Sequence, residues 1–212
     1  MSPENQIEKQ IEEIKEQLKI TPQDPLLIHD LGVGFFLQGK YSNAIIQLKK
    51  AAELDKRSAL YRFNLGNAYA ENDQPQLAVN AYLDALDIDP NHIPTLNNLA
   101  DCYEQLGDPE KSLELFKYLV KADPDNALSH FNLGNFYLRQ NQHIEAVRCY
   151  KDAITRDDTF VDAYFNIAWV LKQIKAYSDA LDYVKKGLEA DKSHQELNEL
   201  KKELLLKIGF AT

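Results

Sequence analysis

The six residues Asn64-Leu65-Gly66-Asn67-Ala68-Tyr69 return in the same phase along the chain. The other copies are Asp30-Leu31-Gly32-Val33-Gly34-Phe35, Asn98-Leu99-Ala100-Asp101-Cys102-Tyr103, Asn132-Leu133-Gly134-Asn135-Phe136-Tyr137 and Asn166-Ile167-Ala168-Trp169-Val170-Leu171. The small residue in each falls at 32, 66, 100, 134 and 168, so every step is 34 residues with no insertion. A fixed period of this length specifies stacked supersecondary units, each burying its apolar face against its neighbours, and not one globular core.

Within each period the pattern predicts two helices around a turn. The turn signals are Gly39-Lys40, Asp73-Gln74-Pro75, Gly107-Asp108-Pro109, Asn141-Gln142-His143 and, weakest, Lys175-Ala176. The second helix ends at Asp89-Pro90 and Asp123-Pro124 in two repeats, where proline cannot continue a helix. In the other three it ends at Asp55-Lys56, Asp157-Asp158 and Asp191-Lys192. The expected hairpins are 25–58, 59–92, 93–126, 127–160 and 161–194. Small residues mark expected helix contacts: the Gly or Ala of the first helix against Ala44, Ala78, Ser112, Ala146 and Ala180 of the second. Leu48, Tyr82, Phe116, Tyr150 and Val184 are expected to fill the space between layers, and Leu119 is large for a slot that is otherwise Ala or Gly.

Both ends read as capping helices. In 1–24, Ser2-Pro3-Glu4 resembles a helix start, and Ile7, Ile11, Ile14 and Leu18 form one apolar stripe. That stripe suits a cap over the first repeat; fewer than three heptads is short for a coiled coil, the alternative. Asp24-Pro25 begins the next helix. In 195–212, Leu197, Leu200, Leu204 and Ile208 form a second stripe behind a capping box at Ser193-His194-Gln195-Glu196, and Gly209 stops the helix.

The pattern of Leu, Gly or Ala, Tyr or Phe, and Ala at these spacings resembles the tetratricopeptide repeat family over residues 25–194. The resemblance implies an all-α, right-handed α-solenoid of helical hairpins whose first helices line a concave groove. Counted from the start of each repeat, positions 2, 5, 6, 9, 12 and 13 would face that groove. Position six reads Asp30, Asn64, Asn98, Asn132 and Asn166; position nine reads Val33, Asn67, Asp101, Asn135 and Trp169. Residues three apart share a helix face, and a carboxamide offers both a donor and an acceptor. These asparagines would form a ladder able to pair with an extended peptide's main chain without reading its sequence. Phe63, Phe131 and Phe165 at position five are candidate apolar anchors. Trp169, the chain's one tryptophan, is either an anchor or, as the stronger expectation, covered by the C-terminal helix. Glu71, Asp101 and Glu104 make the middle of the ladder acidic, which suits a ligand with a basic group, whereas Arg139 and Lys172 arrive late. The family's carboxylate clamp for chaperone tails uses Lys or Arg at positions two, five and six beside Asn; at positions two and five Leu26, His29, Leu60, Phe63, Pro94, Asn97, Leu128, Phe131, Asp162 and Phe165 supply no Lys or Arg.

The formal net charge of −9 argues against a nucleic-acid binder, which needs a basic footprint. No apolar run reaches the length of a membrane span. The five histidines are dispersed, with no pair at i, i+3 or i+4, and there is no phosphate loop and no GxSxG. Cys102 and Cys149 read as small buried hydrophobes and fit a reducing compartment. The expectation is a cytoplasmic, non-enzymatic scaffold or adaptor without metal or cofactor. It would be monomeric or weakly self-associating and hold a partner's extended peptide or helix in the groove. The alternative is an assembly protein that uses its terminal helices and convex face, with the groove filled by a terminal helix.

Overall fold

The computed structural model describes residues 3–209. The Ser2 helix start lies outside the described residues, as do the side chains of Pro3 and Glu4. Among the described residues the chain is all α, with twelve helices and no strand. It divides into two compact units, 1–115 and 116–212, with the boundary inside α7. The first unit holds α1 (Pro3–Ile20), α2 (Pro25–Leu37), α3 (Tyr41–Leu54), α4 (Ala59–Glu71), α5 (Pro75–Leu86), α6 (Ile93–Gln105) and the start of α7 (Pro109–Ala122). The second holds the rest of α7, α8 (Ala127–Arg139), α9 (His143–Arg156), α10 (Val161–Gln173), α11 (Tyr177–Ala190) and α12 (Gln195–Gly209).

Each hairpin turns on one residue in the left-handed region, repeated every 34 positions: Gly39 (φ 70°), Asp73 (56°), Gly107 (79°), Asn141 (58°) and Lys175 (64°). Glycine takes this conformation without cost, Asn and Asp with little, and lysine only with strain. The second helices then start on proline in α5 and α7, where the missing N–H is harmless. Asp24 caps α2 by accepting from the N–H groups of Leu26 and Leu27. At α12 the cap differs from the expected box. His194 Nδ1 accepts from the Leu197 N–H, and Ser193 instead gives its N–H and hydroxyl to Asp191. Asp191 is the C-cap of the previous helix, and its carboxylate takes Ser193.

The hairpin cores rest on a small-against-large contact. A Cβ placed on Gly66 would lie 2.4 Å from the Tyr82 ring, and one on Gly134 would lie 2.6 Å from the Tyr150 ring. Gly32 stands in the same relation to Leu48. The glycine therefore meets the large residue of the second helix, and the expected small residues Ala44, Ala78, Ser112, Ala146 and Ala180 are buried as well. The ring fills the notch that the absent side chain leaves, so both aromatic rings are almost wholly buried. Full burial of a side chain of this size contributes roughly 1.5–3 kcal/mol. Leu119 is likewise buried despite its size.

The terminal helices spend their stripes on their own units. Ile11 of α1 is buried against Gly34, and Leu18 packs on Ile28, Ala51 and Tyr61. Leu197, Leu200 and Leu204 of α12 pack on Ala168, Ala180, Leu181 and Val184.

Candidate functional site

The ladder residues stand on the first helix of each hairpin, and their amides are already engaged within the chain. In the first unit, the buried Tyr82 hydroxyl donates to Asn67 Oδ1 at 2.8 Å. Asn98 Nδ2, one repeat further on, donates to the same oxygen at 2.9 Å. The second unit repeats this two repeats later. Tyr150 donates to Asn135 Oδ1 at 2.8 Å, and Asn166 Nδ2 donates to it at 3.1 Å. Burial pushes both phenols well above their ordinary range, so each stays a neutral donor.

Asn64 finds a different partner because position nine of the first repeat is Val33, which offers no acceptor. Its Nδ2 lies 2.8 Å from His29 Nε2. His29 Nδ1 lies 2.9 Å from Asp30 Oδ1, and the ring stacks on Tyr61. A ring nitrogen facing a carboxylate carries the proton, so Nε2 is the lone-pair nitrogen and accepts from Asn64.

The Tyr82, Asn67 and Asn98 side chains line a hollow of about 340 Å³ in the first unit. Asn67, Asn98 and Tyr82 form one part of its wall, Glu71 and Asp101 another, and Phe36, Ala70, Cys102 and Gln105 complete it. Two repeats along, the residues equivalent to Glu71 and Asp101 are Arg139 and Trp169. The second unit therefore carries the same amides with a cation and an indole beside them.

The remaining candidates are placed as follows. Asn132 is half-buried on α8. Phe63 is half-buried against Tyr82 and His92, Phe131 against Tyr150 and Phe160, and Phe165 beside His194. These rings pack against the hairpins and remain partly exposed. Trp169 is 36% exposed, contrary to the expectation that α12 covers it. The α12 stripe lands on Ala168 and the α11 core instead, and Glu203 of α12 pairs with Lys172 at 2.9 Å. In the first repeat, α1 and α2 enclose a hollow of about 310 Å³ that Asp30, Val33 and Leu37 share with Ile7 and Ile14. Here α1 flanks the apolar start of the ladder.

Sequence reasoning missed Tyr82, Tyr150 and His29 as ladder residues. A signal for the tyrosines existed. Asn at position nine coincides with Tyr fifteen residues later at 67/82 and 135/150, and at neither 33/48, 101/116 nor 169/184. Cys102 and Cys149 are buried, and burial pushes each thiol up to about 11, so neither is a thiolate near neutral pH. Among the described residues no group of three or more His, Cys, Asp or Glu side chains is arranged to hold a metal. No described helix is long and apolar enough to cross a membrane.

Four family profiles match the chain, described as TPR repeat (32–73) and tetratricopeptide repeat (58–122, 115–148 and 161–194). Comparison with curated proteins gives no match. Among solved structures, MamA residues 41–end from Desulfovibrio magneticus RS-1 is 19% identical, with 81% of this chain and 97% of that one aligned at a TM-score of 0.66. A thermophilic TPR protein of Thermus thermophilus is 18% identical over 86% of this chain and 100% of that one, TM-score 0.65. YrrB, described as a TPR protein with an unusual peptide-binding site, is 17% identical over 89% and 97%, TM-score 0.59. At these identities the likeness establishes the fold.

Proposed function

The chain belongs to the tetratricopeptide repeat family, and from that premise we propose that it is a non-enzymatic scaffold that holds an extended peptide of a protein partner along its ladder asparagines. The observation that carries this reading is the hollow of about 340 Å³ at Asn67, Asn98 and Tyr82, with Glu71 and Asp101 in its wall. The amides supply main-chain hydrogen bonds. The carboxylates favour a peptide that places a lysine or arginine there. The peptide-binding site described for YrrB is consistent with this use of the fold.

Magnitudes set what the ladder can do alone. A net hydrogen bond contributes about 1 kcal/mol, so four such contacts give roughly 4 kcal/mol, or about millimolar affinity. Micromolar binding needs the half-buried phenylalanine edges, Trp169 and the charged wall in addition. The test is a titration of capped, labelled peptides that differ in one lysine, arginine, glutamate or alanine. Tighter binding of the basic peptides, weakened by salt and by Asn98→Ala, is expected. Equal binding of all four, insensitive to Asn98→Ala, would sink the reading.

A second reading, self-association, draws on one observation. In the second unit Ile144 and Ile174 are exposed beside Val147 and Leu171, around a largely apolar hollow of about 470 Å³. The terminal helices lend it less support, since Ile11 of α1 and Leu197, Leu200 and Leu204 of α12 are buried within their own units. Light scattering separates the two: an oligomer that Ile144→Lys dissociates favours assembly, and a monomer at all concentrations removes it.

A further inference from the structure

We propose that Tyr82 and Tyr150 are positioning residues that fix which way the ladder amides face, so that each rung presents a set donor and a set acceptor to a peptide's main chain. This rests on the peptide-binding reading above and names what that site recognises: the secondary amide of an extended chain.

The argument is a count of hydrogen-bonding capacity. A carboxamide oxygen accepts two hydrogen bonds. Asn67 Oδ1 receives both, one from the Tyr82 hydroxyl and one from Asn98 Nδ2. Turning the Asn67 amide over would set its N–H groups against the N–H of Asn98. The amide is therefore held in one orientation, with its Nδ2 donors left for a ligand. Asn98 has spent an N–H inward and keeps its Oδ1. The rung thus offers N–H from Asn67 and C=O from Asn98. An extended peptide bond carries the complementary C=O and N–H.

One further rung has the same polarity, and another shares its acceptor half. In the second unit, Tyr150 and Asn166 fill Asn135 Oδ1, leaving Asn135 Nδ2 and Asn166 Oδ1. In the first repeat, where Leu48 stands at the tyrosine position and Val33 at position nine, Asp30 and His29 turn Asn64 the same way. Asn64 gives an N–H to His29 Nε2 and keeps its oxygen. Two unlike devices, a phenol with an amide and a carboxylate with an imidazole, leave the position-six asparagine with its acceptor unspent. Packing alone does not require this, because a phenylalanine ring would fill the notch at Gly66 as well as Tyr82 does. Tyr82 is thus distinguished by its hydroxyl.

The test uses the full chain, Tyr82→Phe and Tyr150→Phe, with two probes: the capped peptide acetyl-Gly-Lys-Gly-Lys-Gly-methylamide and the same peptide N-methylated along its main chain. Asn side-chain resonances are followed by NMR. In the wild type, the Asn67 and Asn98 amides respond to the parent peptide and much less to the N-methylated one. In Tyr82→Phe, parent affinity falls about fivefold, the equivalent of one net hydrogen bond. The Asn67 amide becomes mobile, and discrimination between the probes shrinks, with the Asn135 amide unaffected. Tyr150→Phe gives the mirror result at Asn135, and serves if Tyr82→Phe is too unstable to titrate. Tyr→Phe variants that keep affinity and discrimination overturn the positioning role and leave the peptide reading standing. A wild type whose ladder amides ignore the parent peptide overturns both.

Discussion

The ladder of the first unit and that of the second share one device and differ in what surrounds it. Tyr82, Asn67 and Asn98 recur as Tyr150, Asn135 and Asn166, with the same donors on the same acceptor. Beside them, Glu71 and Asp101 are replaced by Arg139 and Trp169. The amide device is tied to the hairpin core through the buried tyrosine, which itself sits in a glycine notch. The flanking residues stand at exposed positions one turn along the same helices. In the proposed reading, the fold supplies main-chain recognition and the flanking residues add side-chain preference. The first unit suits a basic residue, and the second an acidic or aromatic one.

The largest way to break this parallel is through the notch. Gly66→Ala puts a methyl 2.4 Å from the Tyr82 ring, and Gly134→Ala puts one 2.6 Å from Tyr150. A rigid ring cannot yield without moving the helix, so overpacking outweighs the helix propensity gained, and each variant should lose about 2 kcal/mol. Denaturant midpoints check this; a neutral result at either site would show that the ring has room and the notch is not what holds the device.

Exchanging the walls sharpens the comparison next. Glu71→Arg with Asp101→Trp gives the first unit the chemistry of the second. Each exposed charge contact is worth up to about 1 kcal/mol, so affinity for a lysine-bearing peptide should fall about tenfold and its salt dependence should vanish. A titration at two ionic strengths reads this. Unchanged affinity would place the basic residue elsewhere.

The turns differ as well. The first unit uses Gly39, Asp73 and Gly107 in the left-handed conformation, while the second uses Asn141 and Lys175. Lys175→Gly should stabilise the second unit by up to about 1 kcal/mol, seen as a higher melting temperature, whereas Gly39→Ala should destabilise the first by a similar amount. No atom lies near a Cβ on Gly39, so only the backbone conformation opposes that change.

The smallest effect is alkaline. Burial raises the Tyr82 and Tyr150 phenols above their ordinary value of 10.0. A group with a raised folded-state pKa contributes stability that is present below its unfolded value and lost as pH rises beyond it. Stability should decline above pH about 10 as unfolded-state phenols ionise, and Tyr82→Phe with Tyr150→Phe should lessen that decline. Melts on either side of that pH decide it.

The hairpins were legible because their causes are local and periodic. Gly39, Asp73, Gly107, Asn141 and Lys175 announce turns at one spacing, and apolar positions repeat with them. The orientation of the ladder amides was not legible, because it depends on contacts between distant residues, such as Asn98 with Asn67 and Asn64 with His29. No window of helix pattern contains both partners. The Asn–Tyr pairing at 67/82 and 135/150 was visible, but its meaning needed the second helix folded back on the first. The exposure of Trp169 was hidden for a similar reason: the Leu197, Leu200 and Leu204 stripe fixes which face of α12 is buried, and does not fix which residues it lands on.

The central claim is that a peptide's main chain is held by the ladder amides, with a basic residue at the first unit's acidic wall. Its most direct test is an NMR titration of the intact protein with acetyl-Gly-Lys-Gly-Lys-Gly-methylamide at low salt. The account predicts that the side-chain amides of Asn67 and Asn98 shift first, ahead of those of Asn135 and Asn166, and that added salt suppresses the response. Shifts confined to residues around Ile144 and Ile174, with the asparagines unmoved, would contradict it.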